Sequence, residues 1–262
     1  MIIDTHCHLD DKRFDEDLLE VLKRAKDKKV LACIIPGANP DDLEKAKDIS
    51  QKYDELFFAA GVHPYDISKF DEKLLRDFLV HPKCIAVGEC GLDYYRLPKE
   101  ENKKIEEKKR QKEIFIEQIK IAKEFKKPLI IHIREASFDS KEILINNNAK
   151  EVGGVLHCFN ASEILLEMSN YGFYFGIGGV ITFKNAKKLV NILPKIPKDR
   201  IVIETDSPYL TPHPYRGKRN EPSYTVYIAK RISEILGMEY DEVCDLTTKN
   251  AKRLFKELEK IV

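Results

Sequence analysis

Eight short apolar runs, separated by helix-length charged segments, constrain this chain more than any other feature. They cover residues 2–5, 30–35, 56–61, 84–88, 128–132, 154–157, 173–176 and 200–205. Each is near-continuously apolar rather than alternating, as strands buried on both faces are. The stretches between them are amphipathic. In 16–28, Leu18, Leu19, Leu22 and Ala25 share one face, and in 100–127 Phe115, Ile119, Ala122 and Phe125 do. Further helices are expected over 40–51, 71–79, 140–147, 162–171, 184–193, 222–236 and 241–260. Repeated β-then-α units in 262 residues predict an α/β fold, a (β/α)8 TIM barrel forming one domain over 1–262. A doubly wound open sheet is the alternative, but no glycine-rich phosphate loop follows the first run.

Five of the runs end in residues that bind metals. The first leads into Asp4-Thr5-His6-Cys7-His8, where the two histidines stand two apart. In extended backbone they project together. Glu89 closes CIAVGE, His132 closes PLIIH, His157 closes GGVLH and Asp206 closes RIVIETD. Strand C-termini of a parallel barrel meet at one rim, so all six side chains would face one cavity. Singly, each has a plainer use: a lone histidine is structural, Asp206 caps a turn before Ser207-Pro208, and Glu89 pairs with a lysine or arginine. At corresponding strand ends they predict a metal centre at the C-terminal rim. One cation would use His6, His8, Asp206 and Glu89, and a second Glu89, His132 and His157. Imidazole with carboxylate suits Zn2+, Mn2+ or Mg2+. Two such ions about 3.5–4 Å apart activate water and polarise a phosphoryl or carbonyl oxygen.

Around this set, Asp206 is a candidate to take the water's proton. Glu204, two residues earlier on the same face, is expected to hydrogen-bond a ligand histidine, and Asp4 to play a similar part. His63 in GVHP closes the third run, outside the ligand count. It is a candidate to contact substrate or protonate a leaving group, with a structural His-Pro turn as its alternative. His81 falls at the opposite rim and is read as non-catalytic.

The loops of the expected active rim carry cations and aromatics: Tyr94, Tyr95 and Arg96 after the fourth run, Arg134 after the fifth, and Arg216, Lys218, Arg219 and Asn220 after the eighth. A loop this long and polar on that rim commonly carries function. Guanidinium groups match phosphate oxygens, and tyrosines stack on bases. The expected substrate contacts are Arg134, Tyr94, Arg216, Arg219 and Asn220, and the expected substrate is phosphorylated.

Composition limits the partners. With 45 Lys+Arg against 44 Asp+Glu the net charge is +1, which excludes a uniformly basic nucleic-acid coat while allowing a local basic rim. Six cysteines form no CxxC and lie in or beside apolar runs. They read as reduced, and the protein as cytoplasmic. Cys7 and Cys158 adjoin expected ligands, but alternation turns Cys7 away from its flanking histidines. No leader is expected before a strand that begins at Ile2, no run approaches the roughly 20 residues of a membrane span, and a monomer is expected. The stretch from Lys99 to Glu113 reads as a solvated helix face with i,i+4 ion pairs.

With these residues assembled, the chain resembles the TatD family of metal-dependent deoxyribonucleases, within the amidohydrolase-like barrels. The likeness rests on DTHCHLD, GVHPYD, GECGLDYYR, the helix bearing Gln111, Phe115 and Gln118, PLIIHIREA, GVLHCF and ETDSPYLTPHPYRGKRNEPSY, spanning 1 to about 255. It implies His6, His8, Glu89, His132, His157 and Asp206 as metal ligands. Glu89 then stands where related barrels carry a carbamylated lysine. The resemblance also supports His63 as a site residue and implies 3′-to-5′ hydrolysis of single-stranded DNA ends with Mg2+ as the usual activator. Mn2+ is expected to serve in activity too, and Zn2+ to be retained on binding. The alternative is an amidohydrolase or lactonase working on a small carbonyl substrate with the same ions. A non-catalytic binding barrel would have no use for the ligand set.

Overall fold

The computed structural model describes residues 1–261. Eight parallel strands follow one another in chain order around a single sheet. They are β1 (Ile2–Asp4), β2 (Val30–Ile35), β3 (Leu56–Ala60), β4 (Cys84–Asp93), β5 (Leu129–Arg134), β6 (Gly154–Leu156), β7 (Phe173–Ile177) and β8 (Ile201–Ile203). The sheet curls until its last strand meets its first. Thr5 N–H donates to Ile203 O at 3.0 Å, Asp206 N–H to His6 O at 2.9 Å, and His8 N–H to Ser207 O at 2.7 Å. This is the (β/α)8 barrel expected. Helices α1 (Leu18–Asp27), α2 (Leu43–Lys52), α3 (Glu72–Leu79), α4 (Glu101–Phe125), α5 (Ser137–Asn146), α6 (Lys187–Ile192), α7 (Thr225–Leu236) and α8 (Tyr240–Leu254) surround it.

Alternation along the strands divides the core in two. Ile3, Ala32, Ile34, Ala59, Ile130, Val155 and Val202 fill the barrel lumen. Their neighbours Ile2, Cys33, Phe58, Leu129, Ile131 and Leu156 point outward into the layer beneath the helices. Phe255 and Leu258 join the lumen set. They plug its N-terminal end, where Asn250 Nδ2 of α8 donates to Ile201 O at 2.8 Å. The lumen phase then carries forward to the opposite rim. Two residues past Ile130 comes His132, past Val155 comes His157, past Val202 come Glu204 and Asp206, and past Ala59 come Gly61 and His63.

Three elements differ from expectation. β4 runs to Asp93 rather than ending at residue 88, because Cys90–Asp93 pair in register with Ile131–Arg134 of β5. The segment Glu163–Tyr171 is a 3-10 helix and not an α-helix. The last helix breaks at Phe255, whose ring turns into the lumen cluster. The charged lead of α4 is exposed and laced with Lys103–Glu100 and Lys109–Glu113 pairs. No helix among the described residues is long and apolar enough to cross a membrane.

Candidate metal centre

The barrel brings all six expected ligands to one point above the lumen. His6 Nε2 lies 3.3 Å from His8 Nε2 and 3.3 Å from Glu89 Oε2. His8 Nε2 lies 3.4 Å from Asp206 Oδ1. On the other side of Glu89, Oε1 lies 3.0 Å from His132 Nδ1 and 3.8 Å from His157 Nε2. Bonds of about 2.0–2.1 Å at tetrahedral angles put neighbouring donor atoms about 3.4 Å apart, so this spacing fits donors gathered around cations. The donor set fits as well. Four imidazoles and two carboxylates leave Glu89, 3% exposed, facing nitrogen on both oxygens. The residues present therefore suit divalent cations, with Glu89 between two groups of nitrogens.

Neighbouring residues orient two of the rings, those of His132 and His157. His132 Nε2 meets Asp93 Oδ2 at 2.9 Å, which keeps the ring proton on Nε2 and leaves the Nδ1 lone pair free for a cation on the Glu89 side. His157 Nδ1 lies 3.0 Å from Glu204 Oε1, at an angle short of a good hydrogen bond, with Nε2 turned inward. Glu204 Oε1 also accepts the Cys158 N–H at 2.6 Å. Asp4 supports the site through backbone instead of imidazole. It accepts from Thr205 N at 2.9 Å, Thr205 Oγ1 at 2.6 Å and His6 N at 3.3 Å, tying the first ligand loop to the last. Cys7 turns away from the histidines toward Ile34 O at 3.7 Å, and all six cysteines are free thiols.

The charges follow from this packing. Burial alone would raise the Glu89 carboxyl, but the surrounding imidazoles of His6, His157 and His132 overcome it and hold it well below the ordinary range. Burial likewise opposes ionisation of Asp206, and the His8 hydrogen bond with the charges of His157 and His6 keeps it low. Burial pushes down the imidazole of His6, whose ring stacks on His157 at 3.4 Å. Burial also drives His63 down to about 4, leaving it neutral near pH 7. His63 Nε2 lies 3.7 Å from Glu89 Oε1. Its Nδ1 accepts the Tyr65 N–H at 3.1 Å, so the ring proton sits on Nε2 and points into the site.

Among the expected substrate contacts, Arg134 is exposed, lies in the cleft beside His132 and His157, and stacks on the Tyr95 ring at 3.6 Å. Arg216 is also exposed, over Phe183 at 3.9 Å, with one N–H given to Thr211 O. Three others have partners within the fold. Tyr94 is held away from the site by its hydroxyl on Asp139 Oδ2 at 2.6 Å, with Lys108 over its ring. Arg219 is spent on Asp17, at 2.8 and 2.6 Å, and lies over Phe14. Asn220 is fully buried and donates to Thr205 O and Tyr209 O, so it braces the last loop from inside.

Sequence reasoning gave no role to three residues that support the site. Asp93 is one; its spacing of four from Glu89 along a strand was the available signal. Gln111 and Gln118 of α4 are the others. Gln111 Oε1 accepts the Asp93 N–H at 3.0 Å. Gln118 bonds both backbone groups of Val62, at 2.7 and 3.0 Å. The two amides thus hold the strand end that carries Asp93 and the loop that carries His63. His81 sits at the far rim against Gln51.

A parallel barrel whose rim gathers histidines around a shared carboxylate is the frame of a metal-dependent hydrolase. The chain belongs to the TatD-related DNase family, whose profile matches residues 3–256. It is 44% identical over 262 residues to the uncharacterized metal-dependent hydrolase YabD of Bacillus subtilis, covering 98% of this chain and 99% of that one. It is 31% identical over 258 residues to the 3'-5' ssDNA/RNA exonuclease TatD of a Rahnella species, covering 95% of each. The crystal structure of YJJV, a TatD homolog of Escherichia coli K12, superposes with a TM-score of 0.88 at 28% identity, over 97% of this chain and 98% of that one.

Proposed function

We propose that this protein is a phosphodiesterase that trims single-stranded nucleic-acid ends, DNA above all, in the 3′-to-5′ direction with two divalent cations. The observation that carries the reading is Glu89: one carboxylate faces His6 through Oε2 and His132 through Oε1. One ion would be held by His6, His8, Glu89 and Asp206, the other by Glu89, His132 and His157. Mg2+ or Mn2+ would serve turnover, and Zn2+ would be retained by so much imidazole. Such a pair, when bound, lowers the pKa of water and neutralises phosphoryl charge. Asp206, kept ionised by its histidines, takes the proton of the attacking water. His63 acts as a neutral hydrogen-bond donor through Nε2–H to the leaving oxygen. It is too acidic to serve as a charged acid at pH 7. Arg134 and Arg216, exposed at the rim, hold phosphate oxygens.

The Rahnella relative supports the nucleic-acid reading. Every site residue comes from one chain, which suits a monomer, and six free thiols suit a reducing cytoplasm. The test is a panel of end-labelled single- and double-stranded DNA, RNA and simple carboxylic esters, each with Mg2+, Mn2+ or Zn2+. Mononucleotide release from single strands, stopped by EDTA, is expected. Ester or lactone hydrolysis without cleavage of any nucleic acid would replace this reading with a carbonyl hydrolase.

A further inference from the structure

The metal residues open on one side into a cleft of about 770 Å3, far more room than a phosphoryl group occupies. Clefts of about 300–1,000 Å3 bury drug-sized molecules. Its near end is His157 and Asp206, and its walls are Phe159, Val180, Ala186, Leu189 and Leu210. Phe159, Ala186 and Leu189 are nearly buried, so the slot is apolar to its floor. Lys187 and Lys188, both exposed, line it as well. Neither meets a carboxylate among the described residues, whereas Arg24, Arg76 and Arg219 are all paired. Asn185, exposed on the same wall, keeps its amide free of any hydrogen bond among the described residues.

Two loops, after β7 and β8, fasten to each other to shape this wall. A Cβ on Gly179 would fall 2.1 Å from Leu210 O, so only glycine permits their approach. Leu210 itself is held in left-handed backbone at φ 50. His213 N–H donates to Thr182 Oγ1 at 2.9 Å. A non-glycine residue persists in that region only where its surroundings over-determine it, so the slot is preformed.

We infer that this slot is a nucleoside subsite: the base next to the scissile phosphate enters between Phe159, Val180 and Leu189, and Lys187 and Lys188 take the next phosphate along the strand. An apolar slot by itself accepts many apolar groups. The pair of unpartnered cations on the same cleft selects a ligand that carries an anion beside its apolar part, and Asn185 offers hydrogen bonds to a base edge. A base lodged there cannot be paired, which gives a physical reason for a single-strand preference. The inference rests on the phosphodiesterase reading and goes past it by naming what the cleft recognises.

The Mn2+-loaded full-length protein tests it on three substrates: the pentanucleotide dT5, the dinucleotide dTpdT, and dT5 with abasic residues at its last two positions. For the parent, kcat/KM on dT5 should exceed that on the abasic strand at least tenfold. Val180→Trp, which fills the slot, should bring the two strands to within a factor of two. Lys187→Ala with Lys188→Ala should cut the dT5-to-dTpdT ratio at least tenfold and flatten the salt dependence of KM. Arginine at both positions should restore both. Equal rates on normal and abasic strands, or ratios unmoved by the lysine variants while dT5 is still cleaved, would overturn the subsite alone. A parent that cleaves none of the three, yet hydrolyses bis(4-nitrophenyl) phosphate, would overturn the nucleic-acid reading and the subsite with it.

Discussion

Asp93 Oδ2 sits 2.9 Å from Nε2 of His132, on the side of the ring turned away from Glu89. The contact sets the tautomer, and with it the nitrogen that His132 offers a cation. Removing such a partner typically costs about 10–100-fold in metal affinity or activity. Asp93→Asn is expected to weaken Mn2+ binding by that order while the protein still melts cooperatively. Calorimetric titration of Mn2+ onto the variant checks it.

Asp206 occupies left-handed backbone at φ 56, a region that asparagine tolerates well among non-glycine residues. Asp206→Asn therefore keeps the loop conformation and removes the charge. The kcat of the proposed nuclease reaction is expected to fall by about 10²–10⁴-fold, the usual worth of a positioned base, with little change in the circular-dichroism melt. Full activity in this variant would remove Asp206 from the chemistry.

Protons and cations compete for the same nitrogens. In protein stripped by a chelator, burial would push the imidazoles of His8 and His157 down. Asp206 beside His8 raises it to about 9, and Glu204 with Glu89 beside His157 raises it to about 10. Both start from an ordinary value of 6.5, so near pH 7 both carry a proton that a cation must displace. Cation affinity should rise with pH across neutrality, with protons released on binding. Stability of the stripped protein runs the other way. The raised pKa values contribute stability present in full below about pH 6.5 and lost as pH climbs through about 9 to 10. Calorimetry between pH 6 and 8, in buffers of different ionisation heat, reads the proton release, and urea melts between pH 6 and 10 read the stability.

Gly176 lies on the lumen face of β7, where a Cβ would fall 2.2 Å from Glu204 Oε2. Glu204 is wholly buried and has no room to retreat. Gly176→Ala is expected to cost roughly 1–3 kcal/mol, as overpacking does, and to weaken cation binding through His157. Gly217→Ala is the contrast. Its φ of 87 strains a side chain, but nothing lies within 4 Å, so cation binding should be unchanged. Urea unfolding with Mn2+ titration separates the two.

The barrel was legible because helix-length charged segments separate the apolar runs, and the six converging side chains because extended chain has a period of two. Val202, Glu204 and Asp206 fall on one face of extended chain, as do Ile130, His132 and Arg134. What the sequence did not carry was pairing at a distance. Arg219 looked like a phosphate ligand, but its partner Asp17 is 202 residues away and came beside it only through the fold. The partners of Asn220 and Tyr94 were illegible for the same reason: a polar loop residue does not announce which contact has already claimed it. Asp93 was overlooked because two glycines in GECGLD read as the start of a loop, when β5 in fact extends that strand to Asp93.

Mn2+ titrated onto chelator-stripped protein, followed by calorimetry and by metal analysis after gel filtration, addresses the shared carboxylate directly. Two equivalents per chain are expected for the parent, and one at most for Glu89→Gln, with the proposed nuclease activity lost. A single equivalent in the parent, or two retained when Glu89 is replaced, would contradict a pair of cations bridged by that side chain.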